Sequence, residues 1–153
     1  MRILVVSDSH GRTSALREVL ELHGTPEVIF LGDGLRDIEE MEYLYPDRRF
    51  YKVAGNCDFG AAEPVTGQLE LAGRRIFYTH GHAYSVKYGL GLFKEAARRA
   101  GADIALYGHT HEAFCDYEDG LYIMNPGAVS GGETRYGLID ITPAGVVVHP
   151  EKL

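Results

Sequence analysis

In the first third of the chain, short uninterrupted apolar runs alternate with amphipathic stretches. Ile3-Leu4-Val5-Val6 is continuous, as a strand covered on both faces requires. From Thr13 to His23, the residues Leu16, Val19, Leu20 and His23 recur at helical spacing, and Gly24 follows as a stop. Val28 to Leu31 is a second apolar run. Leu35 to Tyr45 reads as a helix with Leu35, Ile38, Met41 and Tyr45 on one face, ended by Pro46. Phe50 to Ala54 is a third strand. This β-α-β-α-β order predicts a parallel sheet with right-handed crossovers.

The second half is richer in hairpins. Gln68–Leu71 and Arg75–Tyr78 flank Gly73; Ala113–Tyr117 and Leu121–Met124 flank Asp119-Gly120; Gly137–Ile141 and Val146–His149 flank Pro143-Ala144-Gly145. Between them the pattern predicts a helix over Val86–Ala100, with Leu90, Phe93 and Ala97 inward, and a buried strand over Asp103–Tyr107. The early strands read as parallel and the late ones as antiparallel. So many strands strain a single twisted sheet. The expectation is an α/β domain over 1–153, built as two packed sheets with helices outside.

Composition narrows the class. The chain has 153 residues, 45% hydrophobic and 24% charged, ordinary for a globular domain. No apolar run approaches the ~20 residues of a membrane span. Met1-Arg2-Ile3-Leu4 enters a strand without a signal-peptide layout. Two cysteines, Cys57 and Cys115, are too few for a disulfide framework, so the expected compartment is the reducing cytoplasm. A net charge of −7 weighs against nucleic-acid binding, which relies on basic patches. A small anionic substrate then needs a local source of positive charge. Seven histidines are the first pointer to one.

Five apolar runs deliver that chemistry at their C-terminal ends. They are followed by Asp8-Ser9-His10, Gly32-Asp33, Gly55-Asn56, His80-Gly81-His82 and Gly108-His109-Thr110-His111. In open α/β sheets this edge is where sites are built. Asp8/His10, His80/His82 and His109/His111 are i, i+2 pairs, which a strand would point to one side. The neighbouring glycines let the backbone approach a ligand closely. Imidazole with carboxylate suits Mn, Fe, Zn, Co or Ni. This many N and O donors exceed one ion's needs and fit two ions about 3.5–4 Å apart sharing a carboxylate. Two divalent ions outweigh two carboxylates and a bridging hydroxide, leaving about +1 for a phosphate ester. His23 and His149 fall outside this set. Each motif alone has a plainer reading, Asp8 as a helix cap or Asn56-Cys57-Asp58 as a turn; five coinciding strand ends do not.

The ordered set resembles the calcineurin-like metallophosphoesterases: D-x-H, G-D, G-N, a single H, then G-H-x-H. Ser7-Asp8-Ser9-His10-Gly11, Gly55-Asn56-Cys57-Asp58, Thr79-His80-Gly81-His82 and Asn125-Pro126-Gly127 are similar to the small bacterial and archaeal phosphodiesterase branch, of YfcE/MJ type. The resemblance implies a four-layer α/β/β/α sandwich. It implies that Asp8, His10 and His111 hold one metal, that Asn56, His80 and His109 hold the other, and that Asp33 bridges them. It implies two divalent ions, manganese first among them, and a small phosphodiester substrate attacked in line by a hydroxide between the metals.

Two departures matter. Many relatives carry histidine after the asparagine, as proton donor to the leaving group, where this chain has Cys57. A thiol is a poorer acid than imidazolium at neutral pH, so Cys57 and His82 are both donor candidates, with a small buried apolar side chain as the plain reading of Cys57. The chain also lacks the Asp-Arg-Gly run of protein serine/threonine phosphatases after Asp33. Arg12 and Arg36 closely follow two of the motifs and are candidates for phosphate contact, or else solvated loop arginines. Two rivals stand beside a phosphodiesterase: a non-catalytic scaffold of this fold, as in the retromer coat, and a nuclease. A homo-oligomer is also open: the aromatic stretches Tyr43–Phe50 and Tyr84–Phe93 serve either the core or an interface between copies.

Overall fold

The computed structural model describes residues 1–153. The strands are β1 (Arg2–Val6), β2 (Glu27–Phe30), β3 (Arg49–Lys52), β4 (Thr66–Leu71), β5 (Arg74–Thr79), β6 (Ile104–Leu106), β7 (Phe114–Glu118), β8 (Leu121–Asn125), β9 (Arg135–Thr142) and β10 (Gly145–Lys152). The helices are α1 (Thr13–Leu22), α2 (Leu35–Leu44) and α3 (Gly91–Arg99), with a 3-10 turn at His82–Tyr84. One sheet has the order β10-β9-β1-β2-β3 and the other β4-β5-β6-β8-β7.

The unbroken apolar runs explain the layering. In β1, Leu4 and Val6 join Leu16, Val19 and Leu20 of α1 and Ile38 and Met41 of α2. Their neighbours Ile3 and Val5 face the other way, toward Ile76, Ile104, Leu106 and Met124 of the second sheet. In that sheet Phe77 and Ala105 point outward onto Phe93 and Ala97 of α3. Helices, sheet, sheet, helix: each central strand is buried on both sides, which is why its sequence does not alternate. The expected four-layer α/β/β/α sandwich is the architecture observed.

Three expectations shift. The third strand runs Arg49–Lys52, so Val53 and Ala54 already belong to the loop. The third helix starts at Gly91 rather than Val86. Gly89 has φ +147, outside helical space, and Val86–Tyr88 form a turn that follows the 3-10 helix. The late strands are not all antiparallel. β6 pairs parallel with β5, since α3 carries the chain across between them, and with β8, since the edge strand β7 turns the chain back first. The three hairpins are antiparallel as expected, and Asp119-Gly120 turns with both residues at positive φ.

The two sheets lie with the C-terminal ends of β1, β2, β5 and β6 at one edge. Main-chain bonds tie those ends together: Asp8 N–H to Gly32 O at 3.0 Å, Gly108 N–H to His80 O at 2.9 Å, and Val129 N–H to Ser7 O at 3.0 Å. No helix is long and apolar enough to cross a membrane.

Candidate metal centre

Six of the seven expected ligands converge at this edge. Asp8 Oδ1 lies 3.2 Å from His111 Nε2 and 3.6 Å from His10 Nε2. Asp33 Oδ2 lies 3.2 Å from His80 Nε2 and 3.7 Å from His10 Nε2. His80 Nε2 is 3.1 Å from His109 Nδ1. Ligand atoms of Asp8, His10 and His111 lie within 4.8 Å of one another, as do those of Asp33, His80 and His109. Asp33 borders both groups through His10 and His80. The seventh, Asn56, stands at the rim with an exposed side chain whose amide nitrogen faces Cys57 Sγ at 3.6 Å.

The i, i+2 pairs do not arise from strand alternation. Asp8, His10, Asp33, His109 and His111 all have φ between +41° and +68°, and all lie beyond the ends of their strands. The left-handed backbone curls each loop back over the sheet edge. For residues with a Cβ this conformation costs free energy, and its concentration at one spot is typical of a functional site. Gly55 and Gly108 serve close approach. A Cβ on Gly55 would overlap Asp33 Oδ1, and one on Gly108 would overlap Ser7 Oγ.

Hydrogen bonds aim the donors. His80 Nδ1 lies 2.7 Å from the Leu31 carbonyl oxygen. A carbonyl only accepts, so Nδ1 carries a proton and donates, and Nε2 is the nitrogen aimed at Asp33 Oδ2. Asp8 Oδ2 accepts from Ser7 Oγ at 2.5 Å and from the His109 backbone at 3.1 Å. Its other oxygen, Oδ1, is fully buried with no hydrogen-bond partner while three imidazole nitrogens face it. A buried carboxylate oxygen left so is costly unless a cation completes it. These donors fit divalent ions on chemistry as well as on placement.

Charge follows the same geometry. Burial would raise the Asp33 carboxyl, but the hydrogen bond and charge of His80, with the Cys57 N–H, hold it well below the usual range. Burial would lower His80, and its bond to Asp33 and the charge of Asp8 raise it instead. Burial, with the charges of His80 and Lys87, pushes His109 down to about 4, so its ring is neutral at pH 7.

Residues 1–143 match the calcineurin-like phosphoesterase superfamily domain. The chain belongs to that superfamily. Its relatives include the probable metallophosphoesterase YsnB of Bacillus subtilis, 33% identical over 84% of this chain and 75% of that protein. Phosphodiesterase YfcE of Escherichia coli is 29% identical over 92% of this chain and 88% of that protein. Vacuolar protein sorting-associated protein 29 of Schizosaccharomyces pombe is 32% identical over 86% and 73%. Calcineurin-like phosphoesterases use divalent metals, in keeping with the His/Asp groups of this edge.

In this calcineurin-like domain the remaining candidates separate. Cys57 is not the small buried side chain of its plain reading; it is exposed, with Sγ within 4.8 Å of the ligand atoms of His10 and Asp33. Local burial and the charge of Asp33 push its thiol up, which keeps it protonated at neutral pH. His82 opens the 3-10 turn, its ring 5.5 Å from that of His80, with Nδ1 buried and unpartnered. Burial and the charge of His80 lower it. Arg12 and Arg36 are both exposed, but only Arg36 lines the cavity of about 660 Å³ that opens beside His10, Asp33 and Cys57. His23 packs its ring at a tilt against Tyr136, and His149 pairs with Asp140 and Glu151, both away from the edge.

Residue types alone did not reveal what supports the ligands. Asp58 accepts the N–H groups of Asp33, Gly34, Leu35 and Gly55. Asp37 accepts from Ser9 Oγ and the Gly11 N–H. Asn125 donates to the Gly108 carbonyl and Thr110 Oγ1. Asp58 and Asn125 stand inside the motifs already noted, which was the one signal available.

Proposed function

We propose that this chain is a dinuclear metal-dependent phosphodiesterase acting on small phosphodiesters. One observation carries the reading: two three-residue donor groups, joined where Asp33 of one faces His10 of the other, with an unpartnered buried oxygen on Asp8 beside them. In this reading Asp8, His10 and His111 hold one ion, Asn56, His80 and His109 hold the other, and Asp33 touches both. When bound, the ions supply Lewis acidity toward the phosphoryl oxygens and acidify a water for in-line attack. Manganese is the first candidate, then Fe, Zn, Co and Ni.

The chain's own residues do the rest. His80 is oriented by Leu31, Asp8 by Ser7 and the His109 backbone, and Asp33 by the Cys57 N–H at 2.8 Å. Arg36, which lines the adjoining cavity, would contact a non-bridging phosphate oxygen. For the leaving group, a protonated Cys57 thiol and a neutral His82 are both weak acids at pH 7. That suits esters whose alcohols leave without strong general-acid help.

The test is hydrolysis of bis-p-nitrophenyl phosphate by metal-stripped protein titrated with Mn²⁺, with p-nitrophenyl phosphate alongside and calorimetry counting bound ions. Two ions and metal-dependent turnover favouring the diester are expected. No turnover with any candidate ion would move the assignment to a protein-binding scaffold, the second reading, which the likeness to the sorting protein supports. Preference for long DNA over small diesters would move it to a nuclease.

A further inference from the structure

The cavity beside the metal centre has a wall whose chemistry the phosphoester reaction does not use. Phe59, on the loop between Gly55 and Pro64, lines that cavity and is 91% exposed. An aromatic ring in water forgoes roughly 2 kcal/mol of burial free energy, and Phe59 gains no contact in the core in return. Nor is the loop free to fold it inward. The Asp58 carboxylate takes the N–H groups of Asp33, Gly34, Leu35 and Gly55, Asp58 N–H bonds Gly55 O, Ala61 N–H bonds Asp58 O, and Ala54 N–H bonds Pro64 O. The backbone on either side of the ring is therefore fixed, and Phe59, two residues beyond Cys57, lines the same cavity as His10 and Asp33.

The charges on the same lining define what fits beside the ring. Glu63 is answered by Lys52 at 3.7 Å, and Asp33, Asp37 and Asp58 are occupied by the bonds described above. Two charged side chains on the lining have no partner in the chain: the Arg36 guanidinium and the Glu39 carboxylate. One free cation suits one phosphate charge, and Glu39 repels a second while accepting hydrogen bonds from hydroxyl or amine groups. The volume of about 660 Å³ is within the range of sites for molecules of nucleotide size.

We propose that Phe59 is a stacking platform, and that the substrate class is a singly charged phosphodiester carrying a planar heteroaromatic substituent, a nucleoside-type group. That substituent lies on the Phe59 face, with its polar edge toward Glu39 and its phosphate between Arg36 and the metal centre. This rests on the phosphodiesterase reading; the stacking itself is testable without turnover.

The experiment has two arms. In the first, kcat/KM is compared for thymidine 5′-p-nitrophenyl phosphate and methyl p-nitrophenyl phosphate, which share a leaving group and differ in the other substituent. Phe59→Ala should lower the thymidine-to-methyl ratio roughly tenfold, through KM, and Phe59→Tyr should restore it, the scale of one base–aromatic stack. An unchanged ratio, or an equal fall for both esters, would overturn the proposal. In the second arm Phe59→Trp introduces an indole into a chain that has no tryptophan of its own. The fluorescence of that variant should be quenched saturably by the methyl ester of adenosine 5′-monophosphate in Mn²⁺-loaded protein, and not by dimethyl phosphate. Quenching of the Phe59→Trp variant, with wild-type protein that turns over neither ester, would sink the phosphodiesterase reading and keep the stacking site. Turnover without quenching would do the reverse.

Discussion

The Asp58 carboxylate accepts the backbone N–H of Asp33 at 2.7 Å, binding the loop after β3 to the loop after β2. The same carboxylate holds Gly34, Leu35 and Gly55, so one side chain sets the position of the proposed bridging ligand and of the start of α2. Asp58→Ala leaves those N–H groups without their charged acceptor. It should cost roughly 2–4 kcal/mol in urea unfolding. Metal affinity by calorimetry should fall by about 10–100-fold with the number of bound ions unchanged.

Asp33 itself sits between His10 and His80. Asp33→Ala should lower diester turnover by on the order of 10³-fold while circular dichroism stays that of the wild type, because the lost group serves the ions and not the core. His109→Ala should weaken metal binding in the same titration. Wild-type turnover in either variant, with metal supplied, would end the two-ion assignment.

Arg36 and Arg12 both follow a motif, and only Arg36 lines the cavity. Arg36→Ala should raise KM for the diester by about tenfold with kcat little changed, the effect of about 1.4 kcal/mol of lost phosphate binding. Arg12→Ala should leave both constants alone. Steady-state kinetics on the pair decides between a phosphate contact and a solvated loop arginine.

Acid stability has a reporter far from the site. The buried Glu27 carboxylate accepts Arg49 Nε at 2.8 Å and Tyr51 Oη at 3.0 Å. The Arg49 hydrogen bond, aided by Tyr51 and outweighing burial, holds its carboxyl below the ordinary 4.5. The unfolded chain therefore binds this proton more readily than the folded one. Its contribution is fully present above pH 4.5 and is lost as pH falls through the lower folded value. Glu27→Gln should cost about 1–2 kcal/mol at pH 7, and the gap to wild type should close in acid. Urea melts across that range check the sign.

How much of this was legible in the sequence depends on how far each feature reaches along the chain. Ile3–Val6 declared a doubly buried strand because burial on both faces leaves no polar position. The Asp8/His10 and His109/His111 pairs declared a site because histidine and aspartate side by side at strand ends have little other use. The late start of α3 was hidden: Gly89 departs from helical backbone at φ +147, and the composition around it still suits a helix. The parallel pairing of β6 with β8 was hidden too, since β7 lies between them in sequence and at the sheet edge in space.

By itself the sequence determined the chemical inventory, which strands would be buried on both faces, and which strand ends would gather His, Asp and Asn side chains, because hydrophobic period and residue type are local properties. Tertiary structure alone decided the rest. It curled five candidate ligand residues into left-handed backbone and turned His80 Nδ1 onto Leu31. It assigned Asp58 and Asn125 as supports and set Phe59 and Arg36 on one cavity with His10. Those relations join segments far apart in the chain. They exist only once two sheets pack face to face and bring the ends of β1, β2, β5 and β6 to a common edge.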